Sequence, residues 1–411
     1  MYSLLDGFRE RTLKSKDSRM SQETVPDVAY STGFLGFDFM NGTVVHVKTP
    51  EKKFAYNSIG IVDGSITMVI GRSGCGKTTW VVQSAGYIMK QFPGAQTWHD
   101  DIEGGIVETR RERLVGLFGN SMKDRYLSRN SGVTAESVYE RIKIIHDLKM
   151  ENREDYEYDT GYYTSGGEKI IKLQPSVYIL DSLAMLTPDK YTEEEELSGQ
   201  MSSTAAAKTN ASVFKRIVPL LKSANIMLFV INHITDAIKI SMFDSKPAQL
   251  SYLKQGESLP GGKTPVYLSN LLIRFDDNTK LKESEGLKIS GSIVDISLLK
   301  SRTSNVGKSV PLIFDFKNGF DRDLSLLQLL KDMKKVNGAG AYLYFGDRSD
   351  KKFSQKQFKE KLIEDDEFRA VFMETALESL KDLLYDPGEM PDVGSNVIDI
   401  TGRILDMMKV A

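Results

Sequence analysis

Apolar positions along the chain gather into short, nearly unbroken runs set between longer amphipathic stretches. "SITMVIG" (Ser65 to Gly71), "VYILDS" (Val177 to Ser182) and "IMLFVIN" (Ile226 to Asn232) are apolar almost throughout. A strand with one wet face alternates polar and apolar residues, so unbroken runs predict strands covered on both faces. Helical spacing follows the first run from Lys77 and recurs from about Ala205 to Ala224. Strands alternating with helices of that length imply a largely parallel twisted sheet flanked by helices, an α/β core expected over residues 31–323.

Both ends depart from that pattern. Residues 1–22 read as an amphipathic, mostly basic helix with Leu4, Leu5 and Phe8 on one side. Residues 1–30 are therefore expected to form an N-terminal arm that caps its own domain or docks on a neighbouring subunit for polymerisation. After Asp323, "LSLLQLLKDMKKVNGAGAYLYFGD" and the charged helical segments behind it predict a small α+β C-terminal domain, residues 324–411, with a last helix near Ile398 to Val410. Two polar stretches interrupt the core. Residues 150–169, acidic and tyrosine-rich, are expected to form an inserted loop or hairpin, and the stretch from His233 to about Lys263 is long enough to predict a functional loop.

Composition narrows the setting. The 54 basic and 56 acidic side chains among 411 residues leave a net charge of −2, so a surface for nucleic acid has to be local. The length exceeds what one core serves, ~250–300 residues, and implies two folded units. A single cysteine, Cys75, excludes an intrachain disulfide framework and suits a reducing compartment. The N-terminal stretch lacks the apolar core of a signal peptide, and no run approaches the ~20 apolar residues of a membrane span. A cytoplasmic protein with no membrane partner is expected.

"GRSGCGKTT" supplies the first chemistry: Gly71, Arg72, Ser73, Gly74, Cys75, Gly76, Lys77, Thr78 and Thr79 fit G-x-x-x-x-G-K-[ST] between an expected strand and an expected helix. Glycines let backbone N–H groups wrap phosphate oxygens, the helix N-terminus favours negative charge, Lys77 reaches the β- and γ-phosphates, and Thr78 ligates Mg²⁺. ATP and Mg²⁺ are the expected ligands. The strand "SVYILDS" ends in Asp181, a carboxylate suited to the metal, and "TWHDDIEGG" places Asp100, Asp101 and Glu103 at the end of the next strand. Glu103 is the expected base that orients water. The bland alternative is that these acids only solvate a strand end.

In this order the motifs resemble the RecA family of strand-exchange recombinases. "STGFLGFD" (Ser31 to Asp38) is similar to the segment opening that family's core, "DIEGG" to its D-x-E, "LDSLAMLTP" (Leu180 to Pro188) to its Walker B strand, and "NGAGAYLYFGD" to the start of its bacterial C-terminal domain. "VINHI" falls where the bacterial proteins sense the γ-phosphate with Asn-Gln. The Asn-His pair, and "LLKSRTSNVGKS" near Lys300, look closer to the phage-encoded, T-even phage UvsX-like branch.

The resemblance implies an ATP-dependent protein that forms a helical filament on single-stranded DNA and pairs and exchanges strands with double-stranded DNA, in a bacterial host cytoplasm, with a loading mediator and a single-strand-binding protein as possible partners. Lys300 and Arg302, at alternate positions of a strand and so on one side, become cations that reach the ATP of the adjacent protomer. Asn232 and His233 become the γ-phosphate sensor, with a histidine that titrates near ~6.5. DNA loops are implied at about 189–204 and 235–262, with Lys239, Lys246, Lys254 and Lys263 for phosphates, Phe243 and Tyr252 against bases, and Met242 a further DNA-binding residue of the second loop.

Three features depart from the family. Arg110 stands where it stacks a tyrosine on adenine, Val45 to Asn57 is longer than usual, and Glu193 to Glu196 would repel DNA in the first loop. A ring helicase or other ring motor with the same core, and a mediator that exchanges no strands, are the rival readings.

Overall fold

The computed structural model describes residues 27–48, 53–164, 166–189, 199–236, 250–281, 290–339, 342–387 and 397–398. Its centre is a sheet of nine strands: β1 (Ile66–Gly71), β2 (Thr97–Asp101), β3 (Tyr126–Arg129), β4 (Ser176–Asp181), β5 (Ile226–His233), β6 (Leu271–Leu281), β7 (Gly291–Ser301), β8 (Ser309–Asp315) and β9 (Gly319–Asp321). They lie in the order β9-β8-β7-β6-β1-β5-β4-β2-β3. From β6 to β3 every neighbouring pair is parallel, and β7, β8 and β9 extend the β6 side antiparallel. The parallel middle follows from the unbroken apolar runs: every residue of β1 and β4 is buried.

Helices cover both faces. On one, α1 (Lys77–Gln91) buries Trp80, Val81, Val82, Ala85 and Ile88 against Ile179, Phe229, Ile231 and Phe275, with α2 (Glu108–Gly116) beside it. On the other, α3 (Ala135–Glu151) and α4 (Gly199–Ala224) pack Ile142, Ile145, Phe214 and Ile217 against Met68, Tyr178, Leu228 and Val230. Alternate residues of one strand thus feed two separate cores, as a period of two requires. Among the described residues no helix is long and apolar enough to cross a membrane.

The 150–169 stretch ends α3 and enters an antiparallel pair, Glu157–Tyr163 with Lys169–Leu173. Tyr158 reaches Tyr30 (Oη to Oη 2.8 Å) and packs edge-on against Phe92. The long segment ahead of the phosphate motif is likewise a hairpin, Thr43–Lys48 with Lys53–Ser58.

α5 (Thr264–Leu268) precedes β6 in the chain; beyond β9 come α6 (Arg322–Asp332), a hairpin of Val336–Ala339 with Tyr342–Phe345, α7 (Phe358–Glu364) and α8 (Asp366–Leu380). Phe345, Phe353, Phe358, Phe368 and Phe372 pack with ring centroids 4.9 to 6.1 Å apart. This cluster runs without a break into the core under α1, so no gap in apolar packing accompanies the boundary expected after Asp323. Most of the N-terminal arm and the last helix expected near Ile398 to Val410 lie outside the described residues.

Candidate phosphate and metal site

β1 ends at Gly71 and α1 begins at Lys77, so the motif loop spans the strand-to-helix turn at the carboxyl edge of the sheet. Gly74 and Gly76 hold φ of 83° and 87°, a left-handed conformation that side chains resist. At Gly76 a Cβ would also strike the Phe320 ring at 2.7 Å. No side chain caps α1, which leaves its first N–H groups facing the loop, while Ser73 and Gly74 are exposed. Lys77 Nζ lies in the loop's curve, donating to the carbonyls of Gly71 (3.0 Å) and Arg72 (2.8 Å). Cys75 is buried beneath and donates to the Arg72 carbonyl, and Thr79 faces the packed side of α1. Uncapped N–H groups around one lysine fit the phosphates of a nucleotide.

Thr78 Oγ1 donates to Asp181 Oδ2 at 2.6 Å, the pairing a bound Mg²⁺ needs. Burial, assisted by the Glu103 and Asp101 charges, pushes Asp181 up to about 7, and the Thr78 bond opposes the shift. A cation placed here would return it to the charged form.

Parallel register sets the remaining acids. Asp181 of β4 lies opposite Asp101 of β2. Two residues on, Glu103 accepts from Ser182 Oγ and lies 2.9 Å from His233 Nε2 at the end of β5. Asp100 points to the other face, where Arg141 (2.6 Å), Arg129 (3.1 Å) and Tyr178 hold it. Of the three acids in "HDDIEGG", alternation therefore gives one to a structural ion pair and two to the phosphate side.

The same alternation divides Asn232 from His233. His233 pairs with Gly71 in register and meets Glu103, whereas Asn232 is fully buried on the opposite face and donates Nδ2 to the Pro260 carbonyl (2.8 Å). The expectation that both side chains stand at the γ-phosphate is corrected for Asn232, which holds the far end of the 235–262 loop instead.

That loop's stem is a two-residue pair, Thr235–Asp236 with Glu257–Ser258. Arg274 of β6, 5 % exposed, grips it through two bonds to Glu257 (2.6 and 2.7 Å) and is itself held by Asp276 (2.8 Å). Arg72 of the phosphate loop reaches Asp236 at 2.8 Å, an exposed pair of small energetic weight. Lys239, Met242, Phe243 and Lys246 lie outside the described residues, as does most of the 189–204 loop with Glu193 to Glu196. Lys254 is exposed, 3.6 Å from Asp276, and Lys263 is exposed just before α5. Tyr252, expected against bases, is half-buried and packs on the core under α4.

Lys300 is the last residue but one of β7, and Arg302 follows the strand's end. Lys300 Nζ donates to the carbonyls of Val266 (2.9 Å), Tyr267 (2.8 Å) and Ser269 (2.6 Å), and Arg302 shares Tyr267 (3.2 Å). The two cations do stand on one side, docked on the last turn of α5. Burial, then the charge of Arg302, pulls Lys300 down to about 8. Arg110 on α2 donates to the Phe316 carbonyl (2.9 Å). Sequence reasoning passed over Arg274, whose partner is far along the chain, and His99, which the two-residue spacing to Asp101 signals.

A strand, an uncapped phosphate loop, and a Thr–Asp pair at the carboxyl edge of a parallel sheet define a P-loop nucleotide-binding protein. No protein-family model matches the chain. It is similar to the RecA protein of Borrelia duttonii (strain Ly), 22% identical over 293 residues, which cover 70% of this chain and 67% of that protein. It is also similar to the energy-coupling factor transporter ATP-binding protein EcfA2 of Clostridium perfringens (strain 13 / Type A), 28% identical over 160 residues, 33% of this chain and 54% of that one. Among solved structures, the crystal structure of the RadB recombinase aligns with a TM-score of 0.38 and 18% identity, covering 64% of this chain and 92% of that chain. The matched stretches thus span about two thirds and about half of the two curated relatives. The chain is related to RecA proteins at low identity.

Proposed function

We propose that this chain is an ATP-dependent homologous-recombination protein of the phage-encoded, UvsX-like branch. It forms a helical filament on single-stranded DNA and catalyses homologous pairing and strand exchange with DNA-stimulated ATP hydrolysis. One observation carries the reading: the phosphate loop, Asp181, Glu103 and His233 converge at the ends of adjoining strands, and the 235–262 loop leaves the sheet immediately after them.

Loop N–H groups and Lys77 would bind the phosphates, and Thr78 and Asp181 would hold Mg²⁺. The metal supplies polarisation of the phosphate oxygens when bound. Glu103, positioned by Ser182 and His233, aligns the attacking water, and Arg110 lies toward the base. His233 senses the phosphate, and its neighbour Asn232 passes strain through β5 to Pro260 and the DNA loop. Lys300 and Arg302 leave the α5 carbonyls when protomers assemble and reach the nucleotide of the neighbour, so hydrolysis depends on assembly. Lys254 and Lys263, with the cations and rings of the same loop outside the described residues, contact DNA without reading sequence.

Electron microscopy with single-stranded DNA and a non-hydrolysable ATP analogue tests this. Extended helical filaments are expected. Closed six-fold rings would mean a ring motor, and nucleotide binding without any polymer would mean a mediator.

A further inference from the structure

β2 turns His99 and Asp101 to one face, two residues apart, and Asp181 of β4 lies opposite Asp101. One nitrogen of His99 and one oxygen from each carboxylate lie within 4.8 Å of one another. All three residues are buried, with exposures of 0 %, 2 % and 2 %. We propose that His99, Asp101 and Asp181 form a binding site for a divalent first-row transition ion, set behind the phosphate loop and next to the Mg²⁺ site, with which it shares Asp181.

His99 is the residue that ordinary packing does not explain. Its Nε2 is buried and has no hydrogen-bond partner, whereas Nδ1 lies 2.9 Å from Tyr126 Oη. Buried polar atoms are almost always paired, so an orphan nitrogen on the ring that joins this cluster asks for a ligand. With Nδ1–H donating to Tyr126, Nε2 keeps its lone pair for a cation. A cation among the three would meet two carboxylates and an imidazole, and a bond from the other ring nitrogen to a neighbour is the usual support of a metal-binding histidine.

Nearby cations do not fill the gap. Lys77 gives Nζ to the Gly71 and Arg72 carbonyls, and Arg111 pairs with Glu108 and lies over the Tyr126 ring. Thr78 takes Oδ2 of Asp181, and Asp101 accepts from the Gly105 and Ile106 amides at 3.1 and 3.5 Å, leaving lone pairs on both acids. An imidazole with two carboxylates suits Mn²⁺, Fe²⁺, Co²⁺ or Zn²⁺ over Mg²⁺ and Ca²⁺, which prefer oxygen alone.

The inference goes beyond the recombination reading and is tested without nucleotide, so either can fail alone. The full chain, freed of metal, is titrated with Mn²⁺ and bound ion is read from loss of the free-ion paramagnetic resonance signal. Wild type should hold one more Mn²⁺ than His99→Phe and retain it against a large excess of Mg²⁺. Tyr126→Phe keeps all three ligands but releases Nδ1, and should weaken Mn²⁺ binding roughly tenfold. Equal Mn²⁺ binding by wild type and a folded His99→Phe, or displacement by equimolar Mg²⁺, overturns the site. Should His99→Phe not fold, Tyr126→Phe decides: unchanged affinity overturns the proposal.

Discussion

Replacing Arg274 by methionine should loosen the stem of the 235–262 loop while the sheet stays folded. Methionine keeps much of the aliphatic volume and removes the cation that gives Glu257 two bonds and reaches both oxygens of Asp276. Those bonds hold Glu257 below its usual range and Arg274 above its own. Breaking a buried pair from one side costs about 3–5 kcal/mol. Glu257 sits on a two-residue strand, so the stem can swing into water and the loss appears as local opening rather than global unfolding. An opening penalty reduced by about 3 kcal/mol is a factor of roughly 10². Hydrogen exchange at the Thr235 and Ser258 amides should accelerate by about that factor, with β4 and β5 unchanged. Replacing both partners, Arg274→Met with Glu257→Leu, should cost less than the sum of the single changes. Stem exchange within about threefold of wild type, or equal acceleration across the whole sheet, would refute the assignment of Arg274 to the stem.

Further outcomes follow from the site. Glu103→Gln should leave ATP-dependent filaments long-lived while turnover falls by about two orders of magnitude or more, measured as phosphate release; unchanged turnover removes its role. Mixing Lys300→Ala with Lys77→Ala protein should restore some hydrolysis through composite sites, and none at any ratio despite co-assembly counts against action in trans. Lys149 is buried and donates to the Gln174 carbonyl and Ser176 Oγ, and burial lowers it to about 7. Above that pH the folded chain carries it neutral while the unfolded chain still binds the proton, so its destabilising effect is full below about 7 and fades toward ~10.4. Between pH 6.5 and 9, urea denaturation should show wild type gaining about 2–3 kcal/mol on Lys149→Met; a constant difference refutes the buried charge.

Legibility in the sequence followed the range of the interaction. Gly71 to Thr79 and the apolar run ending at Asp181 describe local geometry, and the structure brings Thr78 to Asp181 as that geometry requires. Period-two alternation separates Asp100 from Asp101 and Asn232 from His233, and it was legible in principle; resemblance alone placed both members of the second pair at the phosphate. The resting place of Lys300 was not legible, because the α5 carbonyls that receive it belong to a turn far back in the chain. Nor was the Arg274–Glu257 grip, since neither residue belongs to a motif.

The strand order also sets the chain's timetable. β1, which carries the phosphate loop, is made early yet lies in the middle of the sheet between β5 and β6, both encoded far downstream. One of its edges stays open until β5 has been made and the other until β6 has, and the apolar cluster under α1 is not closed until α8 supplies Phe368 and Phe372. Long-range parallel pairing of this kind is slow and leaves strand edges open to other chains. The nascent chain therefore emerges with its nucleotide loop formed in sequence but unsupported in space until the downstream strands arrive.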